Sequence, residues 1–324
     1  MSKTASMFLH NVTVIDGAYI NSEGICTGFS VSPRIHITGK IDEEESVVVD
    51  FSTIKKDIKK FIDDPETGID HKLLAFKVVD KVVGCKEEPS YFNKKQKGSK
   101  AVKAVQLTTL NDTYIEADAH AVHVLEFDRD YREDPMTMIQ RWLQGALNEQ
   151  FPDFEIKVSL IWAFNHVTPQ DVRGWVLTQA YPVTYTHGLK DSTSYGCQNI
   201  MHGHKSFIQL VGIHENFASS EYKAQLDRLT RKVSEFLDGK YLVARCNITE
   251  GKKEGSRTLV QYTSKSRGVF KLHIEQDYLI LPEETTIECI VAYVADKYKA
   301  QFRELGVSSV YISEGLDKGA FYQI

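Results

Sequence analysis

His202-Gly203-His204-Lys205-Ser206-Phe207-Ile208-Gln209-Leu210-Val211 reads as a strand that opens with two imidazoles on one face, because side chains two apart in a strand point the same way. The glycine between them leaves room for a ligand or another backbone to approach. Beyond this run, Leu226, Leu229, Val233, Phe236 and Leu237 are spaced 3, 4, 3 and 1, the apolar stripe of an amphipathic helix. Each feature has a counterpart 175 positions earlier. Thr27-Gly28-Phe29 stands where the histidine pair would be, ahead of a strand-like run through Ile35 and Ile37. Phe51, Ile54, Ile58, Phe61 and Ile62 repeat the helix spacing, with Lys55, Lys56, Lys59 and Lys60 on other faces. After the helices, Asp238-Gly239-Lys240-Tyr241-Leu242 echoes Asp70-His71-Lys72-Leu73-Leu74 at an offset of 168. The first copy carries extra residues around Asp64-Pro65-Glu66-Thr67-Gly68, which read as a turn.

The correspondence continues downstream. Asp130-Tyr131 and Pro135 precede a helix through Ile139, Trp142, Leu143 and Leu147, while Asp277-Tyr278 and Pro282 precede one through Ile287, Ile290, Val291 and Val294. Each copy then ends in a β-branched strand, Phe154 to Trp162 and Val307 to Ile312. The unit is therefore β-β-α-(β-β)-α-β with antiparallel pairing, an α+β pattern, present twice: residues 1–165 and 166–324, joined near His166 to Asp171. A chain of 324 residues has the length for two such domains. Residues Val78 to Tyr114, with Gly84, Pro89 and a Lys-rich run from Asn93 to Lys103, read as an elaborated hairpin or a mobile loop.

At 42% hydrophobic and 26% charged residues the composition excludes disordered and low-complexity classes and supplies apolar mass for two cores. A net charge of −5 gives no global reason to expect nucleic acid or an anionic membrane as partner. No run approaches the roughly 18 apolar residues of a membrane span, and Met1-Ser2-Lys3-Thr4-Ala5 does not lead into a secretory apolar segment, so the expectation is a soluble cytoplasmic protein. Five cysteines, Cys26, Cys85, Cys197, Cys246 and Cys289, are odd in number and lack a CxxC pair, which argues for free thiols.

The histidines carry the chemistry. His187 follows the strand-like run Tyr181 to Thr186, and with His202 and His204 it makes three neutral imidazoles, the donor set of a catalytic zinc with one open position. Cys197 lies between them in the loop Ser192 to Asn199, where a neighbouring cation would lower a thiol's pKa and make it a base or nucleophile. His120, His123, His166, His214 and His273 have no matching partner and read as structural.

His187, Cys197, His202-Gly203-His204, the amphipathic helix, the Asp-x-Lys-x-Leu turn, Thr286-x-Glu288 and Glu314 together resemble the 6-pyruvoyltetrahydropterin synthase family, which includes the 6-carboxytetrahydropterin synthases of 7-deazaguanine (queuosine) biosynthesis. The resemblance covers nearly the whole chain and implies two tandem T-fold (tunnelling-fold) units, each an antiparallel sheet with two helices on one face, assembling into a barrel. It assigns His187, His202 and His204 to zinc, Cys197 to catalysis, Asp70 and His71 to the family's Asp-His pair, and Glu314, Thr286 and Glu288 to the pterin ring.

The two halves divide this set. The first lacks HGH, has Trp162 or Ala163 where the last-strand glutamate would stand and Ile139 opposite Glu288, yet keeps Asp70-His71. The second keeps everything except the dyad histidine, which Gly239 replaces. The resemblance therefore implies one shared reaction centre. It implies a zinc-dependent lyase acting on 7,8-dihydroneopterin triphosphate, yielding 6-carboxytetrahydropterin in preference to 6-pyruvoyltetrahydropterin. The resemblance implies that zinc would acidify C–H bonds, Cys197 would take a proton, His71 oriented by Asp70 would relay protons, and Glu314 would grip the pterin. Lys205, Arg34, Arg267 and the Lys94 to Lys103 run are the candidates to meet the triphosphate. The alternative is a pterin- or purine-binding protein without catalysis. Sheets that pair edge to edge imply a homo-oligomer.

Overall fold

The computed structural model describes residues 3–95, 101–128, 133–162, 175–213, 219–249 and 258–324. The expected junction near His166, the residues Asp130 and Tyr131, His214 and the middle of the Lys94 to Lys103 run lie outside these residues.

The N-terminal half runs β1 (Thr4–Leu9), β2 (Ile15–Ile20), β3 (Cys26–Lys40), α1 (Phe51–Ile62), β4 (Leu73–Val78), β5 (Lys81–Val82), β6 (Ser90–Lys94), β7 (Val102–Thr108), β8 (Tyr114–Asp118), β9 (Val122–Phe127), α2 (Pro135–Gln150) and β10 (Glu155–Ile161). The C-terminal half runs β11 (Trp175–Leu177), β12 (Tyr181–His187), β13 (His202–Ile213), α3 (Ser220–Leu237), β14 (Lys240–Ala244), β15 (Thr258–Ser264), β16 (Gly268–Ile274), β17 (Tyr278–Leu281), α4 (Ile287–Lys297), α5 (Lys299–Glu304), β18 (Val307–Ser313) and β19 (Gly319–Gln323).

Among the described residues there are three sheets. Each half has a mixed sheet built on a long hairpin, β2–β3 in one and β12–β13 in the other. The strand after each amphipathic helix returns beside the first strand of its hairpin and lies parallel to it: β4 to β2, and β14 to β12. The next strand is parallel again, β9 to β4 and β17 to β14. The wholly antiparallel sheet expected from the sequence is thus corrected. A helix-containing connection is long enough to bring the chain back in the same direction, which a tight turn is not.

Helices form where capping and periodicity agree. The Asp50 carboxylate accepts the Thr53 N–H at 2.8 Å ahead of α1, and the Ser219 hydroxyl accepts the Tyr222 N–H at 3.2 Å ahead of α3. Ile54, Ile58 and Ile62 of α1 and Ile139, Leu143 and Leu147 of α2 pack with β2, β3, β4 and β10 into one core. Phe51, counted in the α1 stripe from its spacing, is exposed. Leu226, Leu229, Val233 and Leu237 of α3 and Ile290, Val291 and Val294 of α4 make the equivalent core of the second half.

The segment Val78 to Tyr114 and the strands β15–β16 make a third sheet, ordered β15-β16-β8-β7-β6. Its central pairing joins the halves, with Leu272 opposite Ile115 and Lys271 opposite Glu116. This sheet packs on both long hairpin sheets around a third core, in which Ala18, Leu73 and Ala75 of one half meet Tyr241, Val243, Phe270 and Leu272 of the other. The apolar residues therefore form three clusters where composition suggested two, because the meander of one half completes a sheet only with the hairpin of the other.

Among the described residues no helix is long and apolar enough to cross a membrane.

Candidate metal and proton-transfer site

The hairpin β12–β13 sets His187 opposite His202 and Tyr185 opposite His204. The three imidazoles are buried, with ring centroids 4.4 Å apart for His187 and His202, 5.2 Å for His187 and His204, and 5.6 Å for His202 and His204. One nitrogen of each lies within 4.8 Å of the others. His187 Nδ1 donates to the Thr285 carbonyl at 2.9 Å, and His202 Nδ1 donates to the Asn199 carbonyl at 3.0 Å. A carbonyl can only accept, so both rings carry the proton on Nδ1 and turn an Nε2 lone pair inward. Those Nε2 atoms are buried without a hydrogen-bond partner. Burial foremost, and then the neighbouring imidazoles, hold His187 and His202 well below the usual histidine range, keeping them neutral. Neutral, inward-facing imidazoles whose tautomer is fixed from behind are what a zinc site requires, and this donor set fits one.

The second hairpin brings the other half to this cluster. Gly28 and Gly203 cross at backbone contact: a Cβ on Gly203 would sit 2.8 Å from Gly28 Cα, and a Cβ on Gly28 would sit 2.2 Å from the Tyr185 carbonyl oxygen. Glycine is needed at both positions because no side chain fits between the strands. The crossing carries His71 to the cluster, its ring centroid 5.5 Å from that of His202. Asp70 Oδ2 accepts from His71 Nδ1 at 2.7 Å, and Asp70 Oδ1 accepts from the Asp16 N–H at 3.0 Å.

The loop joining β12 to β13 is longer than its counterpart. Fourteen residues, Gly188 to Met201, separate His187 from His202, against seven, Ile20 to Cys26, between Tyr19 and Thr27. The extra length holds Cys197, whose thiol is near enough to His71 for each to shift the other's pKa. Gly196 packs on the same ring, where a Cβ would come 2.7 Å from His71 Cβ. Asn199 ties the loop down by donating to the His71 and Ala121 carbonyls at 3.1 and 2.9 Å. Burial acts to raise the Cys197 thiol, but the neighbouring His71 outweighs it and leaves the thiol below its ordinary value. Burial likewise opposes a charge on His71, and the Asp70 carboxylate overcomes it, raising His71 well above the ordinary range. Both shifts run toward a thiolate beside an imidazolium.

Glu314 lies in the turn between β18 and β19, its Oε2 3.4 Å from Lys318 Nζ, and its charge is felt at both Cys197 and Tyr185. Thr286 spends its hydroxyl on the cap of α4, accepting the Cys289 N–H at 3.4 Å, and Glu288 is exposed in the first turn. The residue of that segment that reaches the cluster is Thr285, which sequence reading passed over. Asn199 and Asp16 were missed too. Asp16 falls opposite Thr184 only when the two hairpins are superposed across their loops of different length, which the sequence offsets do not show.

A cavity of about 260 Å³ adjoins the dyad, lined by Asp70, His71, Lys72, His120, Tyr195 and Arg267. His120, taken as structural, is thus beside the site, 3.2 Å from the Tyr195 hydroxyl. His123 packs on Trp142 and His273 on Tyr114, as structural histidines do. Of the basic candidates, Arg267 is committed to Asp118 at 2.7 and 3.2 Å, Lys94 is paired with Glu116, and Lys205 lies 4.0 Å over the Trp162 ring. Cys26 and Cys85 are buried free thiols held above the ordinary range by burial.

No protein-family model and no curated protein matches the sequence. Similar solved structures include 6-pyruvoyl tetrahydropterin synthase from Plasmodium vivax, at 17% identity over 46% of this chain and 98% of that one, with a TM-score of 0.33. The Plasmodium falciparum 6-pyruvoyl tetrahydropterin synthase is similar at 11% identity over 47% and 99%, with a TM-score of 0.33. An uncharacterized protein from Wolinella succinogenes is similar at 13% identity over 46% and 97%, with a TM-score of 0.31. Each likeness spans about half of this chain and, at these identities and scores, carries nothing about its activity.

Proposed function

We propose that this chain is a zinc-dependent lyase acting on 7,8-dihydroneopterin triphosphate, built from two T-fold units that share one reaction centre. The observation that carries the reading is the meeting of His71, from the half without metal ligands, with Cys197 and the three histidines of the other half. His187, His202 and His204 would hold the metal. When bound there, zinc supplies a Lewis acid that polarises side-chain oxygens and acidifies the adjacent C–H bonds.

The protein's own groups do the rest. Cys197, as the thiolate, takes a proton from the activated carbon, and the charged His71 that keeps it ionised is the proton donor for the following step. Asp70 holds the His71 ring through Nδ1 and stabilises its charge. Glu314 offers a carboxylate to the pterin N–H groups, with the Thr286 and Glu288 helix start beside the ring. The product we favour is 6-carboxytetrahydropterin, supplied to a 7-deazapurine pathway, with 6-pyruvoyltetrahydropterin second. The outermost strand β19 exposes Phe321 and Tyr322, consistent with a homo-oligomer that closes a barrel.

Incubation of zinc-loaded protein with this substrate, followed by mass spectrometry of the pterin, tests the reading. Loss of triphosphate with a two-carbon fragment identifies the carboxy product, and loss of triphosphate alone identifies the pyruvoyl product. An unchanged pterin at full zinc occupancy refutes both.

A further inference from the structure

Asp16 is 2% exposed and sits in β2, at the face of the N-terminal hairpin that meets the histidine cluster. Its backbone serves the dyad turn: the N–H donates to Asp70, and the carbonyl accepts the His71 N–H at 2.6 Å. Its side chain does something else. Oδ1 lies 3.3 Å from His204 Nδ1 and accepts from the Ser30 hydroxyl at 2.5 Å, while Oδ2 is 3.5 Å from Lys318 Nζ. Gly315, with φ of 62°, makes room for the carboxylate, since a Cβ there would be 2.5 Å from Asp16 Oδ1.

The other half supplies the control. Thr184 occupies the corresponding place, with its N–H donating to Asp238 Oδ1 at 2.7 Å and its carbonyl accepting the Gly239 N–H at 2.8 Å. Its hydroxyl turns back onto the same Asp238 oxygen at 3.0 Å. The turn therefore forms without a carboxylate at this position. A buried charge is costly wherever it is not needed, so the Asp16 side chain calls for a use outside the turn. The three imidazoles show what that use is. His187 and His202 are each held from behind by a carbonyl, whereas His204 Nδ1 is buried with no hydrogen bond among the described residues, and the group that faces it, at 3.3 Å, is the Asp16 carboxylate.

We infer that Asp16 is a positioning residue for the metal site: it accepts the Nδ1 proton of His204, fixes that ring's tautomer and leaves Nε2 to the ion. The half that carries no metal ligand then sets the metal affinity of the half that does. This rests on the metal-site reading of the three histidines.

The experiment is a zinc titration in competition with a chelator, together with the visible spectrum of the cobalt-loaded protein, on wild type, Asp16→Asn and Asp16→Thr. Outer-shell partners of this kind contribute about 10–100-fold in affinity, and both variants should weaken zinc by that factor and alter the cobalt bands. Thermal unfolding of the apo proteins reports whether Asp16→Thr, which copies the other half, keeps the fold. In parallel, ¹⁵N-histidine NMR of zinc-loaded wild type should show His204 protonated at Nδ1 and metallated at Nε2. Wild type that holds no zinc would remove the metal reading and this inference with it. Wild type that binds zinc, with folded variants binding equally well, would overturn this inference alone. If the variants unfold, the spectrum of wild type decides, because His204 bound through Nδ1 contradicts the assignment.

Discussion

The strand pairs β2–β3 and β12–β13 have the same register and opposite contents. Tyr19 stands opposite Thr27 as His187 stands opposite His202, and Phe29 takes the place of His204. In the first hairpin the position is filled by aromatic packing, with Tyr19 centred 6.2 Å from both Phe29 and Phe76. In the second it is a cluster of three buried imidazoles. The turns that follow invert the contrast, since in Asp70-His71 and Asp238-Gly239 the aspartate accepts a strand N–H and the next residue's N–H donates to the same strand residue's carbonyl, yet only the first carries an imidazole. Backbone hydrogen bonding is thus common to both halves, and the chemistry lies in the side chains placed on it. What one half contributes as polar groups, the other replaces with core or with nothing.

The sharpest way to break this comparison is to erase its two reactive groups. His71→Ala and Cys197→Ala should each lower kcat on dihydroneopterin triphosphate by about 10²–10⁴-fold, the range of a lost general acid or base. Bound zinc, measured by elemental analysis, should not change in either variant. Turnover that survives His71→Ala would mean that the halves do not share one centre.

Next in size is the crossing that brings the halves together. Gly28→Ala would drive a methyl to 2.2 Å from the Tyr185 carbonyl oxygen, and backbone offers no soft atom to move aside. A destabilisation of about 1–3 kcal/mol is expected from overpacking of this kind. Gly145→Ala is the contrasting variant: it sits in α2 with nothing within 4 Å of the added Cβ, and should stabilise by about 0.5–1 kcal/mol. Equal effects in chemical denaturation would show that the hairpins are not in close contact.

Much of this architecture was legible in the sequence, and the reasons are local. Apolar spacing and short turn motifs repeat at fixed offsets, so the paired helices, the HGH strand and the Asp-x-Lys turns could be aligned with no structure. The third sheet was not, because β8 finds its partner β16 more than 150 residues away and nothing in the run Val78 to Tyr114 announces it. Parallel pairing of β4 and β14 was missed for the same reason: alternation within a strand says which face is buried and not which direction its neighbour runs. At the site, types with strong chemical preferences could be picked out, as His187, Cys197 and His71 were. Asp16 and Thr285 each lie behind a histidine ring of the cluster, and such contacts leave no spacing in the sequence.

His71 itself gives a subtler test, with activity and stability moving in opposite directions. Its φ is 55°, a left-handed conformation that costs a non-glycine residue about 1–2 kcal/mol, while Gly239 adopts φ 71° in the matching turn. His71→Gly makes the N-terminal turn a copy of the C-terminal one. Activity should be lost, while the apo protein should unfold at the same or slightly higher denaturant concentration, by up to about 1 kcal/mol. A clear loss of stability would mean that the imidazole contacts matter more to the fold than the backbone strain.

The smallest expected effect separates Lys72 from Lys240, which follow the two turns. Lys240 is partly exposed, with Asp277 at 3.5 Å, whereas Lys72 is buried and donates to the Glu66 carbonyl at 3.3 Å. Burial, and then the charge of Arg267, push Lys72 down to about 8. Below that pH both folded and unfolded chains carry the charge, and the folded state bears its full cost. As pH rises from about 8 toward the ordinary lysine value the unfolded chain holds the proton more often than the folded one, so this group makes stability rise with pH. Lys72→Met should therefore gain most relative to wild type near pH 7 and progressively less toward pH 10, in paired thermal melts across that range. A gain that is flat with pH would show that the surroundings do not lower the pKa of Lys72, and the two lysines would then be equivalent despite their different burial.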